Sequence, residues 1–563
     1  MSNERAGGYI SQIKFNNGEL LDISIDDIVV FVGPNNAGKS QSLKDIYSLS
    51  AENRPSVVIE DLKIQKSSLP ISDVLSDIAV GENYGSYTSY NIFNHHMNIL
   101  NNTDREFPNT KYFGDYRDLF IANLDTAARL TICNPPKSIR RDKPKTHPIH
   151  YAAFDNGKYR KWLAENFKKA FGVEINPNIL FGSDIPLCIG EPILLQGNFE
   201  DELARQEEVA EILETYKQVQ NQGDGVKSFT GILLYLMLDY YRTYLIDEPE
   251  SFLHPPQARI MGQIIGSTLS DQQQAFISTH SEEIIKGLLE ICPERIKIVR
   301  ITREEDNNKF AILNNAEFEQ VWRDPLLKYS NIMASLFHKS VVLCESDSDC
   351  KMYSIVESHI KQKQQKYSET LFIHCGGKHR MAKIVTALRS LNIEVKLIAD
   401  IDVLNDETVF KGIVESFGID YNAIQTDYNN IVSNLHSPKE RVDRNIAKAT
   451  INQVLDGSKA TDLSKREISQ IEEAVSTISK WKAIKTSGVF ALPQGDATSS
   501  FRKIDELLKK CGVFIVPVGE LECFIKDIGG HGPEWVNAVL EKYQNLDDDV
   551  YKSITEFVST MNL

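Results

Sequence analysis

The sequence has no long apolar run and few cysteines. Its most apolar stretch, residues 229–238 (FTGILLYLML), is about half the roughly 20 residues that a membrane-spanning helix needs. No basic segment followed by an apolar one opens the chain, so we expect no secretory signal and no membrane partner. The eight cysteines are scattered without a C-x-x-C pair, which predicts reduced thiols in a cytoplasmic protein.

An excess of positive charge is also missing. The chain has 62 Lys and Arg against 78 Asp and Glu, a formal net charge of −16. This charge argues against binding nucleic acid over the whole surface but leaves room for a local basic channel. It also fits a protein that gathers carboxylates around a divalent metal ion.

Repeats and low-complexity tracts are absent too, while the length of 563 residues is too great for one core. We expect a first domain over residues 1–335 with a helical insertion near 155–220. A second domain is expected over residues 336–563, with a helical insertion near 437–480.

A glycine-rich loop, residues 33–40 (GPNNAGKS), directly follows the apolar run Ile28–Val32. A strand, such a loop and a following helix predict a nucleotide phosphate site, because backbone N–H groups and the helix N-terminus face the phosphates. Lys39 would reach the β- and γ-phosphates, and the Ser40 hydroxyl would bind Mg²⁺. A Gly/Asn turn before a surface helix is the alternative. The predicted ATP-binding residues of the loop are Gly33, Asn35, Asn36, Gly38, Lys39 and Ser40.

A second apolar stretch, residues 244–250 (YLIDEPE), predicts a buried strand that ends in two acids. In this pattern Asp247 would hold Mg²⁺ through water, and Glu248 would polarise the attacking water. Residues 222–228 (QGDGVKS) open an apolar helix upstream, and residues 276–281 (FISTHS) form a strand that ends near a histidine downstream.

Taken in this order, these motifs resemble the ATP-binding-cassette (ABC) ATPase heads, and most closely those of SMC and Rad50-type proteins. The resemblance implies that two heads clamp two ATP molecules and so form a homodimer. The loop with Gly223 and Gly225 would cap the γ-phosphate bound by the other head, although no serine precedes its glycines. His280 would sense the γ-phosphate, and Gln196 is one candidate for the Q-loop glutamine of such heads.

The second half alternates strands with helices, which predicts a parallel, doubly wound sheet with sites at the carboxyl ends of its strands. The predicted strands are residues 340–344, 371–374, 395–399, 489–492 and 513–518. Three acidic pairs follow such strands, and they are Glu345 with Asp349, Asp400 with Asp402, and Glu520 with Glu522. Asp349 is expected to start a helix.

Acids gathered this way repel one another without a cation, and oxygen-rich clusters suit Mg²⁺ or Mn²⁺. Helix-capping acids and solvated strand ends are the alternative.

A strand-end Glu followed by a strand-end Asp-x-Asp resembles the TOPRIM domain of topoisomerases, primases and certain nucleases. An ABC-type head followed by such a domain resembles the overcoming-lysogenisation-defect (OLD) family of ATP-dependent nucleases. The resemblance implies catalytic roles for Glu345 and Asp400, with Asp349 and Asp402 completing two metal sites and Glu520 and Glu522 as further ligands. Ser346 stands where the family usually has glycine.

The OLD family also uses a lysine near the scissile phosphate. Lys485 is our first choice, with Lys378 and Lys542 as rivals. Phosphate contacts are expected from local basic residues, with Arg140, Arg141, Lys378 and Arg380 as candidates. Residues 137–145 (KSIRRDKPK) could equally be a solvated loop, and we expect His147 and His150 to be structural.

The function that the resemblance implies is an ATP-regulated, metal-dependent nuclease, with DNA as the first-choice substrate and a role in bacterial anti-phage defence. A separately encoded partner, such as a helicase or a reverse transcriptase with its DNA product, is a family-level expectation. An ATP-driven DNA clamp that does not cleave and an RNA-cleaving toxin effector remain alternatives.

Overall fold

The computed structural model divides the chain into two compact units, Met1–Gln320 and Val321–Leu563. The structure describes residues 7–76, 81–92, 95–100, 106–141, 143–155, 157–191, 193, 202–305, 307–313, 331–435, 444–457, 462–475 and 480–563.

The first unit is a mixed α/β structure. Its strands are β1 (Gly8–Phe15), β2 (Leu20–Asp22), β3 (Ile28–Val32), β4 (Ile59–Lys66), β5 (Glu82–Asn83), β6 (Tyr87–Ile92), β7 (His95–Leu100), β8 (Ile121–Leu124), β9 (Ile175–Pro177), β10 (Leu187–Ile189), β11 (Lys217–Gln218), β12 (Thr243–Asp247), β13 (Gln274–Ser278), β14 (Ile296–Glu304) and β15 (Asn307–Ile312). Its helices are α1 (Lys39–Ala51), α2 (Ile71–Ser76), α3 (Arg117–Phe120), α4 (Thr126–Thr131), α5 (Pro148–Phe154), α6 (Lys158–Phe171), α7 (Glu202–Thr215), α8 (Asp224–Leu236), α9 (Pro255–Thr268) and α10 (Glu282–Ile291).

Six strands form the main sheet of this unit, in the order β15-β14-β3-β13-β12-β8. All neighbours are parallel except the hairpin β14–β15. Every residue of β3 and β13 is buried, as expected for central parallel strands covered on both faces. The strand β13 lies between β3 and β12. The glycine-rich loop after β3, the acids Asp247 and Glu248 at the end of β12, and His280 after β13 therefore meet at one edge of the sheet.

Three small antiparallel sheets complete the first unit, in the orders β2-β1-β4, β5-β6-β7 and β11-β10-β9. The last of these lies in the segment that we expected to be a helical insertion. Helices α6 and α7 lie in this segment together with three strands of two or three residues. Strands this short carry no periodicity that a sequence could reveal.

The second unit contains a sheet whose neighbouring strands are all parallel. Its strands are β16 (Ser340–Cys344), β17 (Thr370–His374), β18 (Glu394–Ala399) and β19 (Val513–Ile515), in the order β17-β16-β18-β19. Its helices are α11 (Asp347–Lys363), α12 (Met381–Ser390), α13 (Glu407–Ser416), α14 (Gln425–Leu435), α15 (Arg444–Asp456), α16 (Lys465–Val475), α17 (Lys480–Ser487), α18 (Asp496–Cys511), α19 (Gly532–Lys542) and α20 (Lys552–Ser559).

Two strand predictions in this unit need correction. Residues 489–492 do not form a strand but belong to a 3₁₀ turn over Gly488–Ala491, which starts at a glycine with φ +60°. The predicted strand 513–518 ends at Ile515, because Pro517 has no N–H to continue the ladder. The acids at positions 520 and 522 therefore lie in the turn after the strand.

One face of this sheet packs against α11, α19 and α20. Tyr353, Trp535 and Phe557 fill the core between these helices and the sheet, together with Val342 of β16. This packing fixes the start of α11 and of α19 against the carboxyl ends of the strands, where the acids lie.

Among the described residues, no helix combines the length and the apolar character that crossing a membrane requires. All eight cysteines are free thiols, as the sequence predicts.

Candidate functional site

A cleft of about 810 Å³ opens at the edge of the six-stranded sheet. Its walls include these predicted ATP-site residues: Asn35, Asn36, Gly38, Lys39, Ser40, Glu248 and His280. Residues from the strand ends and from the loop thus face one space, which fits a nucleotide with its phosphates at the N-terminus of α1.

The glycines of the loop are required by its shape. Gly33 has φ +143°, and a Cβ there would lie 2.0 Å from the Ile301 carbonyl oxygen of the neighbouring strand β14. Gly38 has φ +106° and immediately precedes α1. Any side chain at either position would clash or strain the backbone, so the loop conformation depends on glycine.

Lys39 bends back over this loop. Its Nζ donates hydrogen bonds to the carbonyl oxygens of Gly33 and Pro34, at 2.9 and 2.7 Å. Burial lowers the pKa of Lys39 to about 8, although Glu248, Glu250 and Asp247 oppose the shift. Among the residues that the structure describes, no carboxylate forms an ion pair with Lys39, and such a buried cation is suited to receiving an anionic phosphate.

The two acids after β12 are held by neighbouring elements. The Asp247 carboxylate accepts a hydrogen bond from the Ser278 hydroxyl of β13. The buried Arg129 donates to the backbone oxygen of Asp247 at 2.6 Å. Glu248 has φ +47°, and its N–H donates to the Ser278 carbonyl at 2.9 Å. A non-glycine residue in this backbone region is costly and often marks a functional position.

Glu248 and His280 face each other across the cleft. Glu248 Oε1 lies 3.7 Å from His280 Nε2, and Glu248 Oε2 accepts from the Ser251 hydroxyl at 3.1 Å. Burial and then the nearby charge of Lys39 lower the pKa of His280, so its ring is neutral at pH 7. The backbone N–H of His280 is fixed by Glu250 Oε1 at 2.6 Å.

The predicted glycines Gly223 and Gly225 do not line this cleft; they lie at the start of α8. A Cβ on Gly225 would meet the Phe252 carbonyl oxygen at 2.5 Å, whereas nothing lies within 4 Å of one on Gly223. The structure therefore leaves their predicted role, capping ATP on a second head, as a prediction. Gln196 lies outside the described residues.

Sequence reasoning missed several residues of the cleft, among them Arg303 and Asn308 from the hairpin β14–β15. Asn308 Nδ2 donates to the Ala37 carbonyl at 2.7 Å and so braces the glycine-rich loop. Only the strand order places this hairpin beside β3.

A carboxylate cluster occupies the carboxyl edge of the sheet in the second unit. Burial raises the pKa of Asp400 well above its usual range, and the charges of Asp349, Glu345, Asp402 and Glu520 raise it further. The structure thus brings together acids from all three predicted strand ends.

Glu345 and Asp349 are positioned by the junction between β16 and α11. Burial raises the pKa of both carboxyls, with a further contribution from Asp402 at Glu345 and from Glu522 at Asp349. The expectation that Asp349 starts the helix was wrong: α11 begins at Asp347, because Ser346 caps it and Asp349 accepts from the Ser346 N–H at 2.9 Å. Ser346 has φ −123°, a conformation that needs no glycine.

Two of the three candidate lysines lie in the cluster. Lys378 Nζ is 3.2 Å from Asp402 Oδ2, and Lys485 Nζ is 3.2 Å from Glu520 Oε2. Partial burial lowers the pKa of Lys485, but Glu520, Asp402 and Asp400 outweigh it and the pKa is raised. Lys542 instead pairs with Asp527.

His531, which lies beside Glu522, is a further residue that sequence reasoning missed. Glu522 Oε1 accepts from the Gly532 N–H at 2.8 Å and lies 3.6 Å from His531 Nδ1. The histidine is nine residues beyond Glu522, in a loop without a strand pattern, so only the tertiary structure reveals the contact.

The basic loop 137–145 is anchored at its start. Lys137 Nζ pairs with Asp184 at 3.0 Å, while Arg140 and Arg141 are exposed. His150 Nε2 lies 2.9 Å from the Lys137 carbonyl and His147 caps α5, so both histidines have structural roles, as expected. Arg380 is exposed at the end of the turn that carries Lys378.

Both sites fit the groups that the resemblance implies. Burial, and after it the charges of the neighbouring acids, raise the carboxyl pKa values of the cluster, and a divalent cation would favour the charged forms. Lys39 and Ser40 line the cleft, and with Asp247 at the end of β12 they would supply the donor set for a nucleotide and its Mg²⁺.

Two family models match the chain. Residues 195–286 match "AAA domain, putative AbiEii toxin, Type IV TA system", and residues 336–402 match "Overcoming lysogenization defect protein-like, TOPRIM domain". The second match contains Glu345, Asp349, Asp400 and Asp402. The first unit thus contains the match to an ATPase domain, and the second unit contains the match to the TOPRIM domain of OLD-like proteins.

Similar proteins include the Old nuclease of Escherichia phage P2, which is 21% identical over 322 residues. That alignment covers 54% of this chain and 48% of the phage protein, so the chain spans about half the length of this curated relative.

Similar structures include the Smc head bound to the C-terminal winged-helix domain of ScpA, at 12% identity and a TM-score of 0.32, over 55% of this chain and 99% of that one. The SMC head domain from Thermotoga maritima is 14% identical with a TM-score of 0.28, over 55% of this chain and 98% of that one.

Proposed function

We propose that this chain is a member of the OLD family and an ATP-regulated nuclease that cleaves nucleic acid, with DNA as the first-choice substrate and Mg²⁺ or Mn²⁺ as the metal. The carboxylate cluster carries the proposal. Burial and mutual repulsion raise the pKa of Glu345, Asp349 and Asp400 together, and such a cluster costs stability unless it serves a cation.

In this proposal two divalent ions would be held, one by Glu345 and Asp349 and the other by Asp400 and Asp402. Ions so held would supply an activated water and stabilise the leaving oxygen. Two lysine side chains would act on the substrate. Lys485, already turned towards the cluster by Glu520, would neutralise charge on the scissile phosphate, and Lys378 is placed to do the same beside Asp402.

The nucleotide cleft would regulate the nuclease site. Glu248 is the proposed base for ATP hydrolysis, with His280 as the γ-phosphate sensor, because the two side chains face each other at 3.7 Å beside Lys39. ATP would join two heads and so position or release the nuclease sites. A role in anti-phage defence with a separately encoded partner, such as a helicase or a reverse transcriptase with its DNA product, belongs to the same proposal.

The test is nicking of supercoiled plasmid by Asp400→Ala and Glu345→Ala with Mg²⁺ or Mn²⁺. We expect each substitution to reduce cleavage by about 100-fold or more, since each removes a ligand that no neighbour replaces. ATP hydrolysis should remain, because the two sites lie on separate sheets. The melting temperature without metal should hold or rise, because removing one acid relieves repulsion.

Glu415→Ala is the matched control, because Glu415 is an exposed acid on α13 of the same unit. Cleavage by Asp400→Ala at the wild-type rate would refute the nuclease site and favour the DNA clamp. Parallel assays on RNA distinguish the RNA-cleaving alternative.

A further inference from the structure

A nitrogen donor lies among the acids of the TOPRIM edge. The ligand atoms of Glu520, Glu522 and His531 all lie within 4.8 Å of one another. His531 Nδ1 is 3.6 Å from Glu522 Oε1 and 4.0 Å from Glu520 Oε1. The two distances from His531 do not exceed about 4 Å, which is the largest separation of two atoms that each lie about 2 Å from one ion.

The backbone holds His531 in this place. Gly532, the next residue, donates its N–H to Glu522 Oε1 at 2.8 Å. It has φ +63°, which favours glycine, and it begins α19, which the buried Trp535 anchors in the core. The backbone of His531 is therefore held next to the Glu522 carboxylate by this turn.

The two carboxylates and the imidazole differ in exposure. The side chains of Glu520 and Glu522 are 11% and 17% exposed, whereas that of His531 is 77% exposed. An ion bound here would thus have protein oxygens on its inner side and the imidazole on the side open to solvent and substrate.

We propose that His531 is a ligand of a divalent ion held by Glu520 and Glu522, and that it gives this position a preference for Mn²⁺ over Mg²⁺. Imidazole suits transition metals, whereas Mg²⁺ favours oxygen ligands. The inference deepens the proposed function, since it names the metal preference at one corner of the same site, but it concerns binding and not cleavage.

The competing explanation is an ion pair between protonated His531 and the two acids. The two explanations predict opposite effects of removing the ring. Loss of a ligand weakens Mn²⁺ binding, whereas loss of a competing positive charge leaves it unchanged or tightens it.

The experiment titrates Mn²⁺ into the full chain without nucleic acid and measures affinity by calorimetry. Electron spin-echo modulation then detects ¹⁴N bound to the metal. We expect a ¹⁴N signal in the wild type that His531→Ala abolishes, with Mn²⁺ affinity at the histidine-containing position reduced about tenfold or more. Mg²⁺ affinity, measured by competition, should change by less than about threefold, because Mg²⁺ gains little from a nitrogen ligand.

His379→Ala is the control, because His379 is exposed in the turn Lys378–Arg380 of the same unit and lies outside the three-residue group. A ¹⁴N signal that persists in His531→Ala, or that His379→Ala removes instead, would overturn the assignment. So would Mn²⁺ affinity that is unchanged or higher in His531→Ala. Circular dichroism confirms that each variant is folded. A protein that binds Mn²⁺ through His531 but does not nick plasmid would refute the proposed function and keep this inference.

Discussion

At the scale of single residues, Lys39 shows how burial prepares a site for an anion. Its side chain makes two hydrogen bonds to loop carbonyls, yet burial lowers its pKa to about 8. Phosphate oxygens would favour the protonated form, so the bound state should have a higher pKa than the free cleft.

This difference predicts a pH dependence of nucleotide binding. Below about pH 8 the lysine is charged in both states, and affinity should be flat. Above that pH the free cleft must take up a proton to bind, so affinity for a non-hydrolysable ATP analogue should fall by up to about tenfold per pH unit.

Fluorescence titrations from pH 7 to about pH 9.5 measure the effect. Lys39→Arg is the control, because arginine stays charged over this range and should give no slope of this origin. Equal slopes in the two proteins would show that Lys39 does not titrate in the cleft.

Glu248 allows a test of charge without a change of shape. Its φ of +47° is held by the backbone bond to Ser278, and glutamine can adopt the same conformation at similar cost. Glu248→Gln should lower ATP hydrolysis by about 100-fold or more, keep ATP binding and accumulate an ATP-dependent dimer.

Steady-state turnover and light scattering with and without ATP provide the measurements. Glu294→Gln, an exposed acid in the turn Pro293–Arg295, should behave as the wild type. Turnover that is unchanged in Glu248→Gln would exclude this residue as the base.

At the scale of elements, close backbone contacts hold the turn that carries Glu520 and Glu522 in place. Gly519 has φ +116°, and a Cβ there would lie 2.1 Å from the Lys485 carbonyl oxygen of α17. The Val489 N–H donates to the Pro517 carbonyl at 2.9 Å one turn later. The same contacts thus place both Lys485 and Glu520.

Gly519→Ala should therefore separate α17 from the turn. We expect a loss of about 1–3 kcal/mol in unfolding free energy from the strained backbone, and reduced cleavage because Lys485 moves away from the cluster. Thermal melting and plasmid nicking measure the two effects.

Gly529→Ala is the matched control in the following loop, since nothing lies within 4 Å of its Cβ and its φ is ordinary. If Gly519→Ala melts and cleaves like Gly529→Ala, the contact with α17 does not position the lysine.

At the scale of the whole molecule, the net charge of −16 restricts where nucleic acid can bind. Exposed basic residues lie at Arg140 and Arg141 in the first unit and at Arg380 in the second. Binding should rest on a few phosphate contacts and fall steeply with salt, with the logarithm of affinity linear in the logarithm of salt concentration.

The double substitution of Arg140 and Arg141 by alanine should reduce the magnitude of that slope by about 2, and Arg380→Ala should reduce it by about 1. Fluorescence anisotropy with labelled DNA over a salt series gives the slopes. Lys552→Ala, at an exposed position on α20, should leave the slope unchanged. Affinity that does not respond to salt would contradict electrostatic binding.

The sequence by itself determined the features that depend on local pattern. The phosphate loop, the strand–acid junctions at Asp247, Glu345 and Asp400, and the strand–helix alternation of the second unit are all readable, because each is a short apolar run followed by a characteristic turn. The alternation gave the parallel sheet, and parallel strands bring their carboxyl ends to one edge.

The contacts between residues that are far apart in the sequence are visible only in the tertiary structure. Asn308 braces the phosphate loop because β14 lies next to β3, and His531 meets Glu522 because α19 packs on the sheet. The turn that replaces the predicted strand at 489–492 follows from one close approach between Gly488 and Pro517. Such contacts join residues with no shared sequence period, so packing alone determines them.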